Sequence, residues 1–362
     1  MSKKFTKPLD NLETLSSLDF ITSTTFTNLF THQPRYLQIP TENHGRSLDY
    51  HLKAAMKVQA SKNLRIFTSQ PTNVQFRPNL YLTKAGQEIF PVIVDCALNP
   101  FILGNIPNIK IHPIIAVFAQ TIWKHQLPHI PVNDHIQYES IIDSCLSDFK
   151  VTITTRDFQT QLKSWNTKYT SLNMHHDRFL DLIASETDLF EVHSLVIQRK
   201  KMNGMSPQFG DEYFIDQLVK DILIDKAKPI INKVWQNRKN NDVLGILSKR
   251  EIDIFGTETL RLIFFVEKES SDWQDFKESS LYTDLEPYFI DNAVDRVALG
   301  TIASMNAGVL PLYQSQEQNY YDLNQLYVGE RLRVLKAQLI GSDFWARIDN
   351  HDPTVSIERK LY

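Results

Sequence analysis

The sequence predicts an α+β fold: a small antiparallel sheet of β-α-β-β type covered by helices, with an additional N-terminal α/β region. Two observations in the second half predict it. Apolar runs of strand length occupy residues 189–200, 243–254 and 259–267, and the last two are separated only by the turn Phe255-Gly256-Thr257-Glu258. Between the first run and the second lies a stretch of helical period, residues 211–237. That order suits an antiparallel sheet with helices on one face.

The elements follow in chain order. The first thirty or so residues (~30, a length set by composition rather than punctuation) are rich in Thr, Ser and Leu, and read as short helices or a loose arm. Ser47 is placed to cap a helix to about residue 61, with Leu48, Leu52, Ala55 and Met56 on its inner face. Residues 79–83 read as a strand. Residues 91–131 are apolar and punctuated by proline, which predicts strands and a buried helix over 114–126. Asn133 or Asp134 opens a further helix through 145. Phe158, Leu162, Trp165, Tyr169, Leu172, Phe179 and Ile183 recur at three- to four-residue steps, the mark of a long amphipathic helix. Asn203-Gly204 turns the chain after the first strand. Ile215, Leu218, Ile222 and Leu223 face inward on the 211–237 helix, where Pro229 predicts a kink or restart. Residues 272–292 and 321–339 complete the helical set.

The 362 residues, 42% hydrophobic and 22% charged, are ordinary values for folded protein. They predict an N-terminal region over 1–150, an α+β domain over 151–350 and a tail over 351–362. Cys96 and Cys145 fit no metal or disulfide framework. With no apolar segment after the basic N-terminus, they point to a reducing, cytoplasmic setting. The longest oily stretch, 111–123, is broken by His112, Pro113 and Gln120 and falls short of the ~20 residues a membrane helix needs. A net charge of −3 argues against nonspecific coating of nucleic acid, but leaves room for a local basic groove.

The stretch Gly245-Ile246-Leu247-Ser248-Lys249-Arg250-Glu251, followed without a gap by the turn and Thr259-Leu260-Arg261-Leu262-Ile263-Phe264-Phe265-Val266-Glu267, resembles the central motif of the inovirus-type (YagK/YfjJ) replication proteins. In that family a strand ends in a basic-x-Glu group, here Lys249-Arg250-Glu251. After a turn comes a strand reading His-x-His, large apolar residues and an acid. Leu262 to Glu267 match the apolar run and its acid. Leu195 to Lys201 look like the family's first strand. Gln338-Leu339-Ile340-Gly341-Ser342-Asp343-Phe344-Trp345 resembles the helix-end segment that carries Tyr-x-x-Lys. The resemblance covers roughly residues 155–350.

It implies a replication-initiator-like fold and a nucleic-acid role of phage or mobile-element type. The partners would be single- or double-stranded DNA and replication proteins. It also implies a lost reaction. The aligned metal-binding histidines fall on Thr259 and Arg261, the nucleophilic tyrosine on Gln338 and its lysine on Gly341. Alternate histidines on one strand face hold a divalent metal against phosphate. Threonine binds such a metal poorly and arginine repels it, so no catalytic residue, metal ligand or cofactor is expected. Arg261 is instead expected to hold phosphate directly, with Arg199, Lys200, Lys201, Lys249 and Arg250 as further nucleic-acid contacts. Ordinary surface charge is the simpler account of those basic groups. Two other classes compete: a metal-dependent nuclease with displaced ligands such as His193, Glu251 and Glu267, and a non-catalytic interaction or structural protein.

The remaining signals are weaker. His175-His176-Asp177 lies on a helix, where neighbours point ~100° apart, so a structural or solvated role is expected. His125 and His129 have helical zinc-ligand spacing, but Pro128 between them argues that the helix has ended. Glu251, Asp253, Glu258 and Glu267 read as salt-bridge partners or a solvated face. Tyr320 and Tyr321 are candidate displaced nucleophiles, and Tyr327 is expected to pack. No P-loop, GxGxxG or GxSxG motif is present.

Overall fold

The computed structural model describes residues 9, 14, 44–70, 79–96, 109–127, 135–199, 212–252, 258–269, 278–288, 297–299, 303–304, 320–348 and 355–360. The expectations for the N-terminal arm, Lys200, Lys201, the Asn203-Gly204 turn, Asp253, the hairpin turn and His129 lie outside these residues. The chain divides into two units: residues 38–170 with 343–350, and residues 1–37 with 171–342 and 351–362. The sequence-based boundary at 150 falls instead inside a helix, and the division comes at 170/171.

The first unit is mainly helical. It comprises α1 (His44–Ala60), β1 (Phe67–Gln70), β2 (Asn79–Leu82), α2 (Lys84–Asp95), β3 (Ile109–Ile111), α3 (Pro113–Lys124) and α4 (His135–Thr154), with the start of α5 (Arg156–Glu186). Leu48, Leu52 and Ala55 are buried on α1 as expected, whereas Met56 is exposed. Pro91 lies inside α2. The His112 side chain caps α3 by accepting from the Ile114 N–H, and Pro113 suits the first turn because its missing N–H would have no intrahelical partner. The helix ends at Lys124, before His125, consistent with the stop expected at Pro128.

The second unit contains the sheet. Its elements are the rest of α5, β4 (Leu189–Arg199), α6 (Glu212–Gln236), β5 (Val243–Ile252), β6 (Glu258–Glu267), α7 (Ser280–Leu285), β7 (Val297–Leu299), β8 (Ala303–Ser304), β9 (Tyr320–Asp322), α8 (Val328–Ile340) and β11 (Val355–Lys360). Between α8 and β11, α9 (Ser342–Trp345) and β10 (Ala346–Ile348) return the chain towards the first unit, where β10 pairs β3. The sheet order is β11-β5-β6-β4-β7, with β8 and β9 also paired to β4, and these pairings are antiparallel. The three expected strands therefore pair in one sheet, and the architecture is α+β.

Strand alternation sends side chains to two faces, and both are covered rather than one. Phe190, Val192, Leu247, Ile263 and Phe265 pack with Phe179, Leu180 and Ile183 of α5 and with Leu332, Leu335 and Leu339 of α8. On the opposite face Leu195, Ile197, Ile246, Leu260, Leu262 and Phe264 pack with Leu223, Ala227, Ile230 and Val234 of α6 and with Leu281 and Leu285 of α7. A sheet buried on both faces explains why β6 reads as a nearly continuous apolar run.

Four sequence expectations change here. The last helix begins at Val328, not 321, because Tyr320–Asp322 pairs β4 and buried Tyr321 stacks on Phe190 with ring centroids 5.1 Å apart. The helix expected over 272–292 is, among the described residues, the short α7 capped by the Ser279 side chain. The 351–362 tail is not separate, since β11 forms the ladder beside β5. Pro229 does not mark a restart, since α6 runs through it.

Candidate functional site

The β5–β6 register places Lys249 directly opposite Arg261. Both residues lie on the face covered by α5 and α8, two positions along from Leu247 and Ile263. Lys249 is 2% exposed and Arg261 6% exposed. Arg261 Nη1 donates to the Ser194 hydroxyl on β4 at 3.4 Å. A third cation comes from α8. Lys336 is 2% exposed, and its ammonium donates to the Asp177 carboxylate of α5 at 2.5 Å. Burial outweighs that ion pair at Asp177, whose carboxyl is held above its ordinary range. Two like charges directly opposite on neighbouring strands are unfavourable unless the surroundings compensate them.

His176, next to Asp177 on α5, lies within reach of the charges of Lys336 and Lys249. It is 1% exposed, and its Nδ1–H donates to the Leu172 carbonyl oxygen at 3.0 Å. That bond fixes the tautomer, so Nε2 carries the lone pair. Nε2 has no hydrogen-bond partner among the described residues. Burial, together with the charges of Lys336 and Lys249, pushes the His176 pKa down to about 4, so the ring is neutral at pH 7. The neighbouring His175 is exposed. The pair thus splits into one solvated and one buried residue.

The displaced-ligand arrangement does not assemble. His193 donates to Glu191 at 3.0 Å, and Glu191 also binds Lys268 at 2.6 Å. His193 sits on the α6 side of the sheet, opposite Phe264. Glu251 pairs with Thr259, eight residues along β6 from Glu267, a separation of about 27 Å at ~3.4 Å per residue. Among the described residues, no group of three or more His, Cys, Asp or Glu side chains is placed to hold a metal. No family model, curated protein or solved structure matches the chain.

The structure therefore redistributes the expected nucleic-acid contacts. Lys249 and Arg261 are buried, because β5 and β6 are covered on both faces, and they are not surface phosphate contacts. Arg250 is half-buried. Arg199 ends β4 one residue beyond the Gln198–Thr259 pair, and Arg250 lies one residue before the Glu251–Thr259 pair. The register thus brings both arginines to the hairpin end of the sheet, on the strands flanking β6. Tyr321 is buried, and burial raises its phenol pKa. Burial also raises Tyr320. Tyr327, expected to pack, is 67% exposed.

Sequence reasoning missed Lys336. Its signal was present: Leu332, Lys336 and Leu339 are spaced by four and three residues, which puts the lysine on the apolar stripe of α8.

The other unit holds a second ordered contact. Cys96 Sγ lies 3.8 Å from His51 Nδ1, and His51 Nε2 lies 2.9 Å from the Asp95 carboxylate. This is the order of a thiol, a base and an orienting acid. The thiol is fully buried, however, and burial raises its pKa well above the usual thiol range, so it rests protonated and sheltered.

Proposed function

We propose that this chain is a replication-initiator-like nucleic-acid-binding protein, of phage or mobile-element type, whose nicking site is inactive. The observation that carries the reading is positional. Thr259 and Arg261, aligned with the metal histidines, lie on β6, and Gln338, aligned with the nucleophile, lies on α8, which packs across that same sheet face. The resemblance requires the three positions to share that face. Lys249, Arg261 and Lys336 put cationic charge where the resembled chemistry would need a divalent cation, which supports the absence of cutting.

Nucleic acid would meet the hairpin end of the sheet through Arg199 and Arg250. A chain of net charge −3 offers only a local patch, so affinity should be modest and fall steeply with salt. The test is fluorescence anisotropy with single- and double-stranded oligonucleotides at low salt, beside a nicking assay with manganese or magnesium. Expected are salt-sensitive binding, a loss of on the order of 10-fold for the Arg199→Glu, Arg250→Glu double variant, and no covalent adduct. A covalent adduct on Tyr320 would refute the inactive-site reading. Absence of binding at low salt would refute the nucleic-acid reading.

The burial of Lys249 and Arg261 favours a second reading, an interaction protein with no nucleic-acid role. The same anisotropy experiment separates the two.

A further inference from the structure

We propose that the outer rim of the core between the sheet, α5 and α8 is a docking surface whose occupant is this chain's own N-terminal segment, the one that carries Leu9 and Thr14. The inference goes beyond the nucleic-acid reading and does not rest on it.

Two contacts carry it. Leu9 is partly buried and packs against the core cluster that holds Phe179, Leu180 and Ile183 of α5 with Leu332, Leu335 and Leu339 of α8, as do Leu172 and Ala184 of α5. Thr14 is helical and 2% exposed. Residues 1–37 fall in the same compact unit as that core. A lone leucine against an apolar rim decides little, since exposed and half-exposed leucines are ordinary. A threonine five positions later with almost no exposure decides more, because threonine is mostly an exposed residue and sinks only where neighbours close over it. Ordering a chain segment costs conformational entropy at every residue, so the segment stays in place only where burial offsets that cost.

The sequence says what kind of segment the surface takes. Leu9, Leu12, Leu15 and Leu18 recur at three-residue steps, with Asp10, Glu13, Ser16 and Ser17 among them. At ~100° per residue, four such leucines span about half the circumference of a helix and leave the other half polar. The matching partner is a short leucine-bearing amphipathic segment, the helix-against-apolar-surface mode of recognition. The chain's own copy is favoured over another molecule's, because a tethered segment meets its surface at an effective concentration that a second chain does not reach in dilute solution.

The experiment follows thermal unfolding of the full chain beside Leu9→Asp, Thr14→Asp and a control, Leu326→Asp, at a position 87% exposed. Leu9→Asp and Thr14→Asp should each lower the melting temperature by about 2–4 °C, and the control should leave it unchanged. A synthetic peptide of residues 1–20 should restore part of the loss in Leu9→Asp, saturably, and leave the unmodified chain unaffected because its surface is already filled. The melting temperature of the unmodified chain should not depend on protein concentration. If the variants fail to fold, native-state amide exchange of the unmodified chain decides, with the Thr14 amide expected to be protected. Leu9→Asp melting with the unmodified chain overturns the proposal, as does a peptide that restores nothing or shifts both chains alike, or a Thr14 amide exchanging at the unprotected rate. A concentration-dependent melting temperature with a dimer in light scattering would put the segment on a second copy and overturn docking within one chain.

Discussion

Gly245 offers a direct test of the register that buries Lys249, because the two residues lie on one face of β5. A Cβ added to Gly245 would stand 2.6 Å from Phe179 Cζ, 2.8 Å from Cε2 and 3.3 Å from Ile183 Cδ1. Carbon atoms in a packed core sit about 3.5–4.0 Å apart, so the Phe179 ring must retreat by roughly 1 Å. It has little room to do so. Phe179 is 1% exposed, and its ring meets the edge of Phe265 at a centroid distance of 5.1 Å. Overpacking of this kind costs about 1–3 kcal/mol. Gly245→Ala should therefore lower stability by about 2 kcal/mol in urea unfolding with an unchanged m-value. Phe179→Leu in the same background should recover part of the loss, giving a non-additive double-mutant cycle. A Gly245→Ala variant within 0.5 kcal/mol (about the scatter of surface substitutions) would show that β5 does not face α5 in this register. The buried positions of Lys249 and Arg261 would fall with it.

Two further predictions follow from buried titratable groups. Burial pushes His176 and His112 down to about 4, with Arg347 adding to the effect at His112 and Lys336 and Lys249 at His176. Between pH 6.5 and 4 the unfolded chain binds protons that the native histidines refuse, so their stability is full above pH 6.5 and is lost as pH falls towards 4. At 1.36 kcal/mol per pKa unit each histidine accounts for about 3 kcal/mol over that window. Urea unfolding at pH 7 and pH 4.5 measures the drop, and His176→Gln should flatten it; a profile as steep as that of the unmodified chain would count against a buried neutral His176. The thiols of Cys96 and Cys145 are fully buried, with Cys145 pushed up to about 12 by desolvation. Ellman's reagent should label neither thiol in the native chain and both in denaturant; rapid native labelling would mean that Cys96 is not sheltered as the structure has it.

The strand order of the second half was legible because β5 and β6 are local. A hairpin with a short turn pairs runs adjacent in sequence, and their apolar content shows directly in the letters. Tyr320–Asp322 and Val355–Lys360 escaped for the opposite reason. Each joins the sheet by pairing with β4 or β5 across more than a hundred positions of chain, and a short run such as Tyr-Tyr-Asp carries no period of its own. The covered second face was missed on similar grounds. Alternation predicts which residues share a face, but a continuous apolar strand does not say how many helices lie against it.

The candidate site was half legible for a different physical reason. Charge type is visible in sequence, whereas burial of charge is not, since lysine and arginine are rarely fully buried without partners. Lys249 and Arg261 were therefore read as surface groups able to contact phosphate, when the register sets them opposite one another inside the sheet. Lys336 could have revealed the error, because a lysine on the apolar stripe of α8 needs a buried partner, and Asp177 is one. Once Asp177 points inward, the adjacent His176 takes a new meaning. It ceases to be a stray helical histidine and becomes a buried neutral acceptor within reach of the charges of Lys336 and Lys249. Arg261 and Lys249, set opposite one another, offer no ligand for a cation, yet they keep this face polar, and only the register that buries them shows that the polarity lies inside the sheet.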